Sequence, residues 1–133
     1  MRNQIPYFSI FLTMIYRKAT EKLQELASYF KVVAVVGPHQ SGKTTLVRSI
    51  FPQKPYVSLE DPDHRRFALE DARGFLSKYP EGAILDEVQR TPELFSYLQG
   101  VVDSSRQTGQ FILTGSNNFL LQQSITQSLA GRV

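Results

Sequence analysis

The stretch Gly37-Pro38-His39-Gln40-Ser41-Gly42-Lys43-Thr44 has the spacing G-x-x-x-x-G-K-S/T, and each fixed position has a chemical reason. The glycines let the backbone curl until successive N–H groups converge, which makes a concavity for an anion. A helix opening at Lys43 aims the positive end of its dipole into the same concavity. From there the Lys43 ammonium reaches the β- and γ-phosphates of a nucleoside triphosphate, and the Thr44 hydroxyl is a ligand for Mg2+. The plain alternative is a glycine-rich turn between a strand and a helix. The flanking sequence answers it, because an apolar run precedes the motif and a helical pattern follows, as the chemistry requires. The expected phosphate-binding set is Gly37, Pro38, His39, Gln40, Ser41, Gly42, Lys43, Thr44 and the adjoining Thr45.

A second constellation, Ala83-Ile84-Leu85-Asp86-Glu87, is an apolar run ending in two carboxylates. It lies one strand–helix unit beyond the helix that follows the loop, so its carboxyl end falls where open α/β sheets bind ligands. There Asp86 is expected to hold Mg2+, through water, and Glu87 to polarise the attacking water. The alternative for Glu87 is a carboxylate on the solvated surface. A third polar cluster closes Phe111-Ile112-Leu113-Thr114-Gly115-Ser116-Asn117-Asn118. If that strand is inserted between the other two, its end lies near the γ-phosphate. The alternative is that Ser116 or Asn117 caps the next helix, a role compatible with the first.

These residues need elements to hold them, and the chain supplies an alternation. Leu23, Leu26, Ala27 and Phe30 recur at helical spacing and predict a helix over residues 17–30, with Thr20 as a cap. Lys31-Val32-Val33-Ala34-Val35-Val36 is a β-branched run of the kind buried on both faces of a sheet. Residues 43–50 read as a helix stopped before Pro52, and residues 56–59 as a short strand. Residues 63–79 read as helical with a break near Gly74, and residues 83–85 as a third strand. Pro92 is expected to open a helix ending near residue 106. Residues 110–114 form a fourth strand, followed by a helix over residues 118–129. Strand alternating with helix means an α/β fold, a parallel sheet with helices on both faces, in a single domain.

Composition narrows the class. At 133 residues there is room for one domain with a real core, and the 41% hydrophobic and 20% charged fractions are ordinary for a globular protein. There is no cysteine, which excludes disulfides and thiolate metal sites, and nothing marks the chain as secreted, so a cytoplasmic location is expected. The two histidines, His39 and His64, are far apart and make no metal cluster. The net charge of +3 is mild, and the nearest basic run, Asp63-His64-Arg65-Arg66, mixes signs. Nucleic-acid binding is thus left open but unsupported. The apolar run over residues 5–16 is too short to span a membrane and lacks a leader cleavage site. It reads best as an extension upstream of a start at Met14, giving residues 1–13 as extension and 14–133 as core.

Taken together, these stretches resemble the AAA-type ATPases of the P-loop class. More narrowly, they resemble the poorly characterised bacterial and archaeal ATPases that join such a core to a C-terminal domain of unknown function. The resemblance is carried by Met14-Ile15-Tyr16-Arg17, Val35-Val36 with the loop and Thr45-Leu46, Tyr56-Val57-Ser58-Leu59-Glu60-Asp61-Pro62, Ile84-Leu85-Asp86-Glu87-Val88-Gln89-Arg90, Ile112-Leu113-Thr114-Gly115-Ser116 and Ser128-Leu129-Ala130-Gly131-Arg132. It implies a three-layer P-loop fold, ATP and Mg2+ as ligands, and several further roles. Ile15 and Arg17 would lie near the adenine. Ser116, or Asn117 beside it, matches the γ-phosphate sensor. Arg132 falls where these ATPases carry an arginine finger for a neighbouring subunit, which implies self-assembly; the alternative is a helix-end arginine. His39 stands where the family usually has arginine. The resemblance also implies a fifth strand, a lid and a C-terminal domain beyond Val133, so the chain is expected to be a fragment with its loop strand at a sheet edge.

The expectation is an ATPase core that hydrolyses ATP with Mg2+, slow as this fragment. The competing reading is a nucleotide-gated module that binds protein or DNA, with hydrolysis incidental. A GTPase is disfavoured because no Asn-Lys-x-Asp motif occurs, and a small-molecule kinase because the chain has little room for an acceptor site and lid.

Overall fold

The computed structural model describes residues 7–38, 40–116, 119–129 and 131–132. Among them, helix α1 (Tyr7–Tyr29) leads into strand β1 (Val32–Gly37), and α2 (Lys43–Ile50) into β2 (Tyr56–Ser58). Helices α3 (Pro62–Glu70) and α4 (Ala72–Ser77) precede β3 (Ala83–Asp86). A 3-10 turn (Val88–Arg90) and α5 (Leu94–Asp103) lead to β4 (Phe111–Ser116) and α6 (Phe119–Leu129). The four strands are parallel, in the order β1-β4-β3-β2. Parallel neighbours need long crossovers, and the helices provide them. The expected insertion of the fourth strand between the first and third is present.

Period-two alternation sorts each strand's side chains between two cores. Val33, Ile112 and Ile84 face α1 and α2, where they pack with Leu23 and Val47. Val32, Phe111, Leu113, Ala83 and Leu85 face the other way, onto Phe75, Leu94, Phe95, Leu98, Leu121 and Leu129. Phe67, Phe75 and Tyr79 stack edge to face on that side, with centroids 5.7 and 5.6 Å apart. β3 and β4 are thus buried on both faces. β1, at the end of the described sheet, is not: Val36 is 37% exposed. No helix among the described residues is long and apolar enough to cross a membrane.

Register decides what meets at the carboxyl edge. Gly37 pairs with Ser116, Leu85 with Leu113, and Ser58 with Asp86. The ends of all four strands therefore lie along one rim.

Several boundaries differ from those read in the sequence. α1 begins at Tyr7, ten residues before the expected start, and is continuous across position 14. Thr20 is inside it, with its hydroxyl donating to Tyr16 O at 2.9 Å, and caps nothing. No glycine or proline interrupts residues 7–29, and an uninterrupted run outweighs a local start signal. The break after α3 falls at Asp71 (φ −147°, ψ 74°), whose carboxylate accepts from Gly74 N at 2.9 Å. Gly74 serves this cap as a site without a side chain: a Cβ there would stand 2.2 Å from Asp71 Oδ2. Pro92 does not open α5. The 3-10 turn occupies residues 88–90, Leu94 N donates to Thr91 O at 3.0 Å, and the helix begins at Leu94 and ends at Asp103. β4 continues past Thr114 to Ser116, since its partner β1 continues to Gly37.

Two contacts hold the rear of the sheet. Gly82 (φ 94°) turns into β3 so tightly that a Cβ would lie 1.7 Å from Gln110 O. Behind β1, Val32 N donates to Arg132 O at 3.0 Å, and the Arg132 guanidinium forks onto Asp103 with Nε–Oδ1 at 2.5 Å and Nη2–Oδ2 at 3.0 Å. Those hydrogen bonds hold the Asp103 carboxyl below its usual range.

Gly82→Ala is expected to destabilise the fold by about 3 kcal/mol or more, since both conformation and space exclude a side chain, lowering Tm by about 10 °C. For Asp103→Asn the sign follows from a depressed carboxylate. The stabilisation is present above the unfolded pKa and lost as pH falls through the folded one. Melting curves of the variant and the native chain should differ at pH 7 and converge in acid.

Candidate functional site

The loop after β1 curls where two of its described residues take left-handed backbone conformations, Gln40 (φ 60°) and Gly42 (φ 91°). Gly42 does so freely, whereas Gln40 stores strain on the order of 1 kcal/mol or more. Gly42 sits at the N-cap of α2, and no side chain caps that end. The first N–H groups of α2 therefore point into the cavity with no side-chain partner at the cap. Lys43 is buried, and its ammonium folds back to donate to Gly37 O at 3.1 Å and Pro38 O at 2.7 Å, with Ser41 Oγ at 3.5 Å.

Across from the loop, β3 ends at Asp86, which is 6% exposed. Three hydroxyls from three elements meet its carboxylate. Thr44 of α2 donates to Oδ1 at 2.9 Å, Thr114 of β4 donates to the same oxygen, and Tyr56 of β2 donates to Oδ2 at 2.6 Å. Burial, with the hydrogen bond and charge of Asp86, pushes the Tyr56 hydroxyl up to about 12. Arg48, with its guanidinium carbon 4.2 Å from the ring centroid, and Ser58 pull the other way. Tyr56 therefore remains a donor through the physiological pH range.

Glu87 follows in a left-handed conformation (φ 61°, ψ 49°) that turns the chain off the strand, and its N–H donates to Thr114 Oγ1 at 3.3 Å. It is 7% exposed, so the alternative of a solvated surface carboxylate does not hold. Gln89 Nε2 donates to Glu87 Oε1 at 2.5 Å and stands 3.4 Å from Ser116 Oγ, and Gln89 Oε1 accepts from Ser116 N at 3.2 Å. Gly115 leaves the space for this bridge, since a Cβ there would come within 2.8 Å of Gln89 Oε1. Ser116 is the last residue of β4.

Gln40, Ser41, Gly42, Lys43, Thr44, Thr45, Glu60, Asp86 and Glu87 line one cavity of about 410 Å³. A larger hollow of about 770 Å³ lies between α4 and α5; Arg73, Ser96, Tyr97 and Ser104 are among its lining residues, but it holds neither a carboxylate nor a glycine-rich loop. Chemistry, not size, selects the smaller one. Gly37 and Pro38 stand at its loop through the Lys43 contacts. Ile15 and Arg17 are exposed on α1 and are not among its lining residues. Arg132 lies behind the opposite end of β1, about 16 Å of strand away from the loop. His39 and Asn117 fall outside the described residues.

Four residues of this site had no role assigned from sequence: Tyr56, Glu60, Gln89 and Thr114. Thr114 carried a signal, as the one polar residue within the apolar run of β4. The other three are recruited by strand order and turn geometry, which spacing does not encode.

Comparison with known proteins agrees with this architecture. Residues 29–133 match the family model described as AAA domain. The uncharacterized proteins Rv2008c of Mycobacterium tuberculosis and Mb2031c of Mycobacterium bovis are each 36% identical over 120 residues, covering 88% of this chain and 27% of theirs. The chain thus spans about a quarter of the length of these relatives. Among solved structures, the crystal structure of the DnaC helicase loader aligns over 96% of this chain and 84% of its own, with a TM-score of 0.50 at 15% identity, a likeness of fold alone. With the loop, the parallel order and the family match in agreement, the chain belongs to the AAA domain family and is an AAA-type P-loop ATPase core.

Proposed function

We propose that this chain binds ATP with Mg2+ and hydrolyses it to ADP and phosphate. The observation that carries the reading is the convergence of Lys43, Thr44, Asp86 and Glu87 on one cavity at the carboxyl rim of the sheet.

The donor set fits the ligands. The curled loop and the uncapped start of α2 offer N–H groups to a polyphosphate. Lys43 exchanges two carbonyl oxygens for phosphate oxygens, a stronger partner for an ammonium. Mg2+ is commonly held by one or two protein oxygens together with substrate phosphates, and Thr44 with Asp86 would be the pair that holds it here. When bound, Mg2+ neutralises charge building on the phosphates.

The remaining roles belong to side chains. Glu87, buried beside the cavity, orients the attacking water and takes its proton. Gln89 ties that carboxylate to Ser116, the residue we assign to sensing the γ-phosphate. A part for Arg132 at phosphates requires a second copy of the chain, because its own loop lies at the other end of β1. The reading is of a cytoplasmic enzyme, acting where ATP is abundant.

Glu87→Gln should lower turnover by about 10²- to 10⁴-fold while leaving Mg·ATP affinity near that of the native chain. Unchanged turnover would remove Glu87 as the base. Chelating Mg2+ with EDTA should abolish turnover in the native chain, and hydrolysis that persists in EDTA would contradict the metal role of Thr44 and Asp86.

A further inference from the structure

Asp86 is held from two sides, and only one of them faces the nucleotide cavity. Thr44, whose hydroxyl is on Oδ1, lines that cavity; Tyr56, whose hydroxyl is on Oδ2, does not. Tyr56 lines a separate hollow of about 420 Å³ with Arg48, Phe51, Pro52, Lys54 and Ile84. It therefore reaches the nucleotide cavity only through Asp86.

A carboxylate rotates easily about its last bond, whose torsion is broad and nearly two-fold. Threonine hydroxyls on one oxygen alone leave the other oxygen, and with it the plane of the carboxylate, free to swing. A second donor of fixed position on the other oxygen fixes that plane, provided its own side chain cannot swing. The Tyr56 ring meets that condition. It is half-buried at the start of β2, in register with Ile84, with the Arg48 guanidinium over its face at 4.2 Å.

We infer that Tyr56 is a positioning residue for the metal-holding carboxylate, its hydroxyl anchoring Asp86 Oδ2 so that Oδ1 is presented beside Thr44 to the divalent cation that accompanies the nucleotide. The inference rests on the metal role proposed above for Asp86 and Thr44. Its consequence is selective. Tyr56 governs the gain in affinity that Mg2+ confers, not the grip of the loop on phosphate.

The test compares the 133-residue chain with Tyr56→Phe, which keeps the ring and its stacking on Arg48 and removes the donor. The affinity of each for a non-hydrolysable ATP analogue is measured in Mg2+ and in EDTA, with Thr44→Ala as reference for loss of a metal ligand and Tm without nucleotide as the control for folding. The expected result is a Mg2+-dependent gain reduced roughly tenfold in Tyr56→Phe, as for loss of one hydrogen bond to a charged group, with affinity in EDTA and Tm retained. A gain equal to that of the native chain overturns the inference and leaves the proposed function standing. A Tyr56→Phe chain that loses affinity in EDTA and in Mg2+ alike, with a lowered Tm, also overturns it, since the role is then structural only. A native chain that gains nothing from Mg2+ contradicts the metal role of Asp86 and removes the inference with it.

Discussion

A carboxylate buried at the end of a strand has to be met by donors, and at Asp86 they come from α2, β2 and β4. An ionised group removed from water without such partners would cost several kcal/mol. Hydroxyls satisfy it without cancelling its charge. The same logic holds across the cavity, where the Lys43 ammonium rests on two carbonyl oxygens. A positive and a negative group thus face one cavity, each held by neutral partners. Such a cavity suits a ligand that itself carries both signs, a polyphosphate with its cation.

Everything that brings those partners together is a consequence of sheet order. With β4 between β1 and β3, Thr114 reaches Asp86 on one side while Gly37 pairs with Ser116 on the other. Parallel register then aligns the strand ends on one rim, and the two apolar cores fix the sheet between its helices. A one-residue slip of β4 would turn Thr114 away and send each of its core side chains to the opposite core. The core residues of β4 are in this sense part of the site.

The loop was legible in the sequence because its chemistry is local. Curl, anion cradle, lysine and hydroxyl are all set by eight consecutive residues. Asp86 and Glu87 were legible because a buried strand announces its end by a change from apolar to charged residues. Helix limits were less so. Thr20 has the composition of a cap but lies inside an uninterrupted helix, while Gly74 has the composition of a breaker but lies inside α4 beneath the Asp71 carboxylate. Tyr56 and Gln89 were read as parts of matching stretches without a role, since what they touch depends on register and on the left-handed turn at Glu87. Local chemistry can be read along a chain, whereas partners supplied from other strands require the fold.

The proposed activity depends first on the loop and Lys43 forming an assembled phosphate site in this chain. The direct measurement is the melting temperature of the native chain and of Lys43→Ala, each with and without saturating Mg·ATP. Ligand at about a hundred times its Kd adds about 2.7 kcal/mol. For a domain of this size that raises Tm by several degrees. That rise is expected in the native chain and should disappear in Lys43→Ala. No rise in the native chain, or an equal rise in both, would contradict it.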